Sequence, residues 1–128
     1  MVSKRKNPNA GADVLAERKR QKEVHAWSQA HDDGHTDGSL ATVAALYAAP
    51  TRLFVKEDLD NLGARFRDPW PNSWDQGYDK RPLDLHGYWH NNNEDAPPIL
   101  RRRLLVKAGA LIIAEIERLD RLYPESLT

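Results

Sequence analysis

The chain has 128 residues, no cysteine, and 19 basic residues balanced by 19 acidic ones. This length suits one domain with its own core, and the missing cysteines exclude disulfides, thiolate metal ligands and cysteine nucleophiles. The balanced charge argues against an overall field for nucleic-acid or membrane binding. The longest apolar run, 104–114, is interrupted by Lys107 and is shorter than the ~20 residues of a membrane span. Because no apolar segment follows the basic N-terminus, we expect a cytoplasmic protein without a signal peptide.

The first 11 residues are basic and polar, which predicts a disordered arm before a single all-α domain at 12–124. A helix is predicted over Ala12–Trp27, and Glu17 and Gln21 fall on its inward face. A carboxylate turned towards a core is costly unless something compensates its charge. Two explanations stay open: Glu17 pairs with an arginine or lysine inside the bundle, or it is a ligand of a metal ion.

An acidic loop follows this helix. Its five ionisable side chains are His31, Asp32, Asp33, His35 and Asp37. Carboxylate oxygens are the ligands that Mg²⁺ and Mn²⁺ prefer, so Asp33 and Asp37 are candidate metal ligands, with His31 and His35 as less favoured ones. In the alternative interpretation, Asp37 or Ser39 caps the next helix and the other acids face water.

The middle of the chain is predicted to contain one short helix of small residues at 39–49, which Pro50 ends. Segment 51–66 is expected to add one or two helical turns through four apolar anchors. These are Leu53, Phe54, Leu59 and Leu62.

A long irregular loop is predicted at 67–98, where five of the eight prolines lie. It is rich in aromatic residues, which can stack on a base, plug the open end of a bundle or form a subunit contact. Trp74 in this loop and Trp27 at the end of the first helix are the candidate base-binding rings.

The last helix is predicted over Ile99–Leu122 and is apolar nearly all round between residues 104 and 116, which is typical of a central helix. Arg102 and Arg103 lie near its positive N-terminal end, which suits a phosphate, although a solvated basic face is an open alternative. Lys107 and Glu115 share its inward stripe. Lys107 is a further candidate phosphate ligand, and Glu115 a further candidate metal ligand.

Three segments carry a resemblance to a known family: HDDGHTDGSLATVAALYA with the preceding ERKRQ, PWPNSWD, and RRRLLVKAGALIIAEIERLDR. Together they resemble small phage-encoded proteins related to the MazG-like all-α nucleoside triphosphate pyrophosphohydrolases. The resemblance implies a helical bundle, a homodimer or homotetramer, and hydrolysis of a (deoxy)nucleoside triphosphate to the monophosphate with Mg²⁺ or Mn²⁺. It also implies the host cytoplasm as the location. One phage branch, MazZ, serves 2-aminoadenine nucleotide metabolism, which makes dGTP or GTP the expected substrate.

Carried over to this chain, the resemblance implies catalytic roles for Glu17 and Asp33, and metal ligation by Glu17, Asp33, Asp37 and Glu115. The chain lacks the E-E-x-x-E and E-x-x-D patterns of the family, so these acids replace them or catalysis has been lost. The competing hypothesis is a non-catalytic phage helical protein that binds nucleic acid or a host factor through its basic arm and tryptophan-rich loop.

Overall fold

The computed structural model describes residues 8–24, 34, 37–83 and 90–127. In these ranges the chain forms α1 (Ala10–Val24), α2 (Ser39–Ala48), β1 (Val55–Asp58), β2 (Ala64–Arg67) and α3 (Pro98–Leu122). The fold is therefore mainly helical, and the two-stranded sheet departs from the predicted all-α class. None of the described helices combines the length and apolar character that crossing a membrane requires.

Helix α1 begins two residues inside the predicted arm. Asn9 explains this start, because its side-chain oxygen accepts a hydrogen bond from the Ala12 amide (3.0 Å) and its carbonyl accepts one from the Asp13 amide (3.0 Å). An asparagine in this position satisfies amides that a helix start leaves without partners. The predicted helix end at Trp27 lies outside the described residues.

Helix α3 is the central element, and both other helices pack against it. The small residues of α2 allow close approach, and the aromatic rings of the following segment complete the core. The core consists of Leu40, Val43, Ala44, Leu46, Tyr47, Trp70, Trp74, Leu104, Ala108, Leu111 and Ala114. On the other side of α3, Gly109 admits α1, because a β-carbon there would lie 3.1 Å from a methyl group of Val14.

The end of α2 is held by two side chains from later in the chain, Asn93 and Arg101. The buried Asn93 donates from Nδ2 to the carbonyls of Leu46 (2.7 Å) and Ala49 (2.8 Å), and Arg101 donates to the carbonyl of Ala48 (2.6 Å). These bonds satisfy carbonyls that the helix end leaves without partners. Arg101 therefore stabilises the end of α2, whereas its neighbour Arg102 pairs with Asp13 of α1 (2.7 Å).

The helical prediction for 51–66 holds only for one 3₁₀ turn at Asp60–Leu62, because most of this segment forms a β-hairpin. Val55 pairs with Arg67 and Asp58 with Ala64 in an antiparallel register. The connection uses two left-handed residues, Asp60 (φ 53°) and Gly63 (φ 90°), a conformation that glycine adopts without strain. The spacing of the leucines gives no sign of this, since both faces of the hairpin are largely exposed and its strands lack apolar alternation.

Segment 67–98 is irregular where it is described, as predicted, and a buried ion cluster holds it together. The Arg81 guanidinium bridges Asp68 (2.9 Å) and Asp79 (2.7 Å) and lies 5.3 Å from the ring centre of Trp70. His90 Nε2 lies 2.9 Å from the same Asp79 carboxylate. These contacts fix a segment that has little regular structure of its own.

Candidate functional site

Three adjoining cavities meet at Lys107 on α3, and this lysine lines all of them. The first has a volume of about 260 Å³, the second about 250 Å³ and the third about 350 Å³. Five cationic side chains line them: Arg20, Lys80, Arg102, Arg103 and Lys107. We call the three cavities together the Lys107 cleft.

Two carboxylates face this cationic wall, and both are already engaged. Glu17 lies 2.7 Å from Arg20 Nε and 3.4 Å from Lys107 Nζ, while Asp13 lies 2.7 Å from Arg102. Neither Lys80 nor Arg103 has an ion-pair partner among the described residues. Counted over the described residues, the lining of the cleft therefore carries excess positive charge.

The pKa values of Glu17 and Lys107 both lie below their usual values, for different reasons. Burial raises the pKa of Glu17, but the hydrogen bond from Arg20 and the charges of Lys107 and Arg20 outweigh it, so the pKa lies below its usual value. Burial lowers the pKa of Lys107, and the charges of Arg20 and Lys80 act in the same direction against the attraction of Glu17. Glu17 is therefore ionised at neutral pH, and Lys107 sits in a crowded cationic environment.

The first cavity has both polar and apolar lining residues, among them Tyr47 and Tyr78. Burial raises the pKa of Tyr47 to about 12, so its hydroxyl stays protonated and donates to the carbonyl of Tyr78. The same hydroxyl accepts a hydrogen bond from the Lys80 amide (3.2 Å), which anchors the backbone of that lysine beside the cleft. Gln21, only 3% exposed, also lines this cavity, and its side-chain oxygen has no hydrogen-bond partner among the described residues.

The second cavity combines the cations Lys80, Arg103 and Lys107 with an apolar wall. That wall consists of Pro82, Ala96, Leu100 and Leu104. The third cavity lies between α1 and α3 and brings together four residues singled out from the sequence: Glu17, Arg102, Arg103 and Lys107. Its other charged residues are Asp13 and Arg20.

The remaining candidate metal ligands lie elsewhere. Glu115 accepts a hydrogen bond from Arg118 (2.6 Å) and lines none of the three cavities. Asp37 is exposed, accepts hydrogen bonds from the Ser39 amide and the Ser73 hydroxyl (both 3.1 Å), and lines a separate cavity of about 230 Å³. The contact to Ser39 agrees with the alternative that Asp37 serves the start of α2. Asp33, His31 and His35 lie outside the described residues.

The acidic side chains in the described ranges do not form a complete metal site. No group of three histidine or acidic residues converges there. The oxygens of Glu17 face Arg20 and Lys107, and Glu115 is neutralised by Arg118. The structure therefore does not bring Glu17, Asp37 and Glu115 together, because each has its own partners, and the fourth predicted metal ligand, Asp33, lies outside the described residues.

Trp74, one of the two candidate base-binding rings, is buried among other aromatic side chains. Trp74 is 6% exposed and packs edge-on against Trp70 and Tyr78, with ring centres 6.1 and 6.2 Å apart. Its ring is therefore part of the core, as the plug alternative proposed. The other candidate ring, Trp27, lies outside the described residues.

Sequence reasoning missed Arg20 and Lys80 as residues of the cleft. Arg20 lies three positions after Glu17, a spacing that brings helix side chains together, so this signal was present. Lys80 had no comparable signal, because the irregular segment that carries it reaches the cleft only through tertiary contacts. Compared with known proteins, the chain matches no family model, no curated protein and no solved structure.

Proposed function

We propose that the protein binds the phosphate groups of a nucleotide in the Lys107 cleft. The observation that supports this is the charge of the cleft wall, where five cations face two carboxylates. Lys80 and Arg103 have no acidic partner in the described part of the chain. Phosphate oxygens are suited to such a wall, since arginine and lysine both form strong charge-assisted hydrogen bonds with them.

The nucleotide class of the ligand rests on the resemblance to MazG-like proteins, with dGTP or GTP as the expected ligand. The three residues that their helix positions marked as candidate phosphate ligands, Arg102, Arg103 and Lys107, all line the third cavity. A run of basic residues at a helix start is often only a solvated face. Here the run lies against a cavity, which favours a binding role.

Hydrolysis of the nucleotide to its monophosphate is the second candidate function. It is favoured by Glu17, an ionised carboxylate with only 9% of its side chain exposed, in the same cavity as the proposed phosphate ligands. The Mg²⁺ or Mn²⁺ that such hydrolases use would neutralise phosphate charge and activate water. A homodimer or homotetramer belongs to this second proposal.

Calorimetric titration with dGTP in the presence of EDTA tests the binding proposal. We expect saturable binding that weakens between about 50 and about 300 mM salt, because screening reduces attraction between charges. Deoxyguanosine, which lacks phosphate, is the control and should not bind detectably. Absence of dGTP binding, or equal binding of the nucleoside, would contradict the proposal.

Incubation with each deoxynucleoside triphosphate and Mn²⁺ tests the second candidate. Release of the monophosphate is the expected product pattern for a pyrophosphohydrolase. If no nucleotide is turned over at high protein concentration while dGTP still binds, hydrolysis is excluded and the binding function remains.

A further inference from the structure

The second cavity has an apolar wall, which offers no charged or hydrogen-bonding partner to phosphate groups. Leu104 and Ala96 are buried at 4% and 9% exposure, and Leu100 stands at the edge with 42% of its surface exposed. The cations Lys107 and Arg103 line the same cavity. Apolar surface and phosphate-binding groups are therefore adjacent within one space of about 250 Å³.

This combination specifies the chemistry of the occupant. Inorganic phosphate chains would leave the apolar wall in contact with water, whereas a flat organic group would remove it from water and gain free energy. Small-molecule sites are typically mostly apolar with a few polar groups that fix orientation, and their volumes start at roughly 300 Å³. A cavity slightly below that range suits one base-sized group better than a long chain.

We propose that the pocket of Pro82, Ala96, Leu100 and Leu104 binds the base of a nucleotide whose phosphates bind Lys107, Lys80 and Arg103. The inference rests on the proposed function and extends it, since it distinguishes nucleotides from inorganic polyphosphates as ligands. The three cations lie in the cavity that has the apolar wall, so the base and at least one phosphate occupy adjoining positions.

The test compares dGTP with inorganic tripolyphosphate, which carries phosphates without sugar or base, by calorimetry on two leucine variants. Leu100→Asn introduces a polar group at the pocket edge. Leu105→Asn is the matched control, because Leu105 lies on the same helix, is 44% exposed and lines none of the cleft cavities.

Leu100→Asn should weaken dGTP binding about tenfold and change tripolyphosphate binding less than about twofold, while Leu105→Asn changes neither. The inference is overturned if Leu100→Asn weakens both ligands equally, leaves both unchanged, or matches the effect of Leu105→Asn. Failure of both ligands to bind the unmodified protein would instead remove the proposed function, and the inference with it.

Discussion

Glu17 is the residue on which the binding and catalytic proposals differ most. Its carboxylate lies between Arg20 and Lys107, so it neutralises part of the cationic wall that we propose binds phosphate. As a counter-ion it competes with the ligand, whereas as a catalytic or metal-binding group it assists the reaction. One substitution separates these roles.

Glu17→Gln keeps the shape of the side chain and removes its charge. We expect dGTP binding in EDTA to tighten roughly threefold to tenfold, because the cleft becomes more positive. Unfolding in urea should show a loss of about 1 kcal/mol, because Arg20 and Lys107 lose a charged partner. Glu23→Gln, on an exposed position of the same helix, is the control. Weaker dGTP binding in Glu17→Gln would show that the carboxylate assists the ligand, and loss of Mn²⁺-dependent turnover would assign it to catalysis.

At the scale of single residues, the sequence predicted which charged side chains turn inward, although it did not predict what they contact. Helical spacing placed Glu17 and Lys107 on inward faces, and the structure joins them at 3.4 Å. The ion-pair alternative for Glu17 is confirmed by its contact with Arg20. Helical spacing does not identify the partner of a buried acid, because a metal ion or a neighbouring basic side chain compensates its charge equally well. Local spacing also said nothing about Lys80.

Among the elements, α2 depends on side chains from the distant segment 90–101. Asn93 is 3% exposed and donates to the carbonyls of Leu46 and Ala49. The same face of the molecule holds Arg101, which donates to Ala48. The end of α2 is therefore fixed by residues 44 to 53 positions later in the chain.

Asn93→Asp tests this cap with almost no change in side-chain shape. The carboxylate cannot donate, and it would face carbonyl oxygens, so we expect a loss of about 2–4 kcal/mol in the free energy of unfolding. Asn91→Asp is the matched control at an exposed position, with an expected change within about 0.5 kcal/mol. Equal unfolding midpoints in urea for the two variants would refute the capping role.

The elements themselves were predictable where apolar spacing was strong. Helix α3 was predicted within one residue, because its apolar run is long and Pro97 and Pro98 mark its start. The hairpin was not predictable in this way, because Phe54, Leu62 and Phe66 are exposed and their spacing does not indicate a buried face. Strand pairing there depends on the left-handed turn and on Glu57, which accepts hydrogen bonds from Arg65 and Arg67.

For the whole molecule, the pKa values of two partly buried carboxylates, Asp68 and Glu17, predict how the stability of the folded state changes in acid. Burial raises the pKa of Asp68, but hydrogen bonds from Arg81 and the Trp70 amide, with the charges of Arg81 and His90, bring it below its usual value of 3.8. The pKa of Glu17 likewise lies below its usual 4.5. A carboxyl with a lowered pKa stabilises the folded state above its usual pKa, and this contribution is lost as pH falls towards the folded-state value.

We therefore expect the midpoint of unfolding in urea to stay nearly constant from about pH 7 to about pH 5. Below about pH 4.5 it should fall steeply. Asp68→Asn should lower the midpoint of unfolding at neutral pH and reduce its decrease in acid, because one of the two partly buried carboxyls with a lowered pKa is gone. Asp58→Asn, at a position with 85% of the side chain exposed, should not change the loss of stability in acid. An identical pH profile for all three proteins would contradict this account.

The arrangement of the whole molecule was the part least accessible from sequence. A mainly helical domain with α3 at its centre followed from the apolar pattern, and the aromatic loop was correctly expected to be irregular. Its packing onto the core depends on the buried cluster of Arg81, Asp68 and Asp79, whose members lie up to 13 positions apart in a segment without periodicity. Such contacts bring Lys80 to α3 and so complete the cleft.

The most direct test of the central claim is the dGTP affinity of the double variant Lys80→Met, Arg103→Met. These two cations line the Lys107 cleft without acidic partners in the described ranges. The matched control is Lys19→Met, Arg65→Met, which removes the same charges from exposed positions outside the cleft. Calorimetry in EDTA should show at least about tenfold weaker binding for the cleft variant and less than about twofold for the control. Equal affinities in the two folded variants would contradict a phosphate-binding cleft at Lys107.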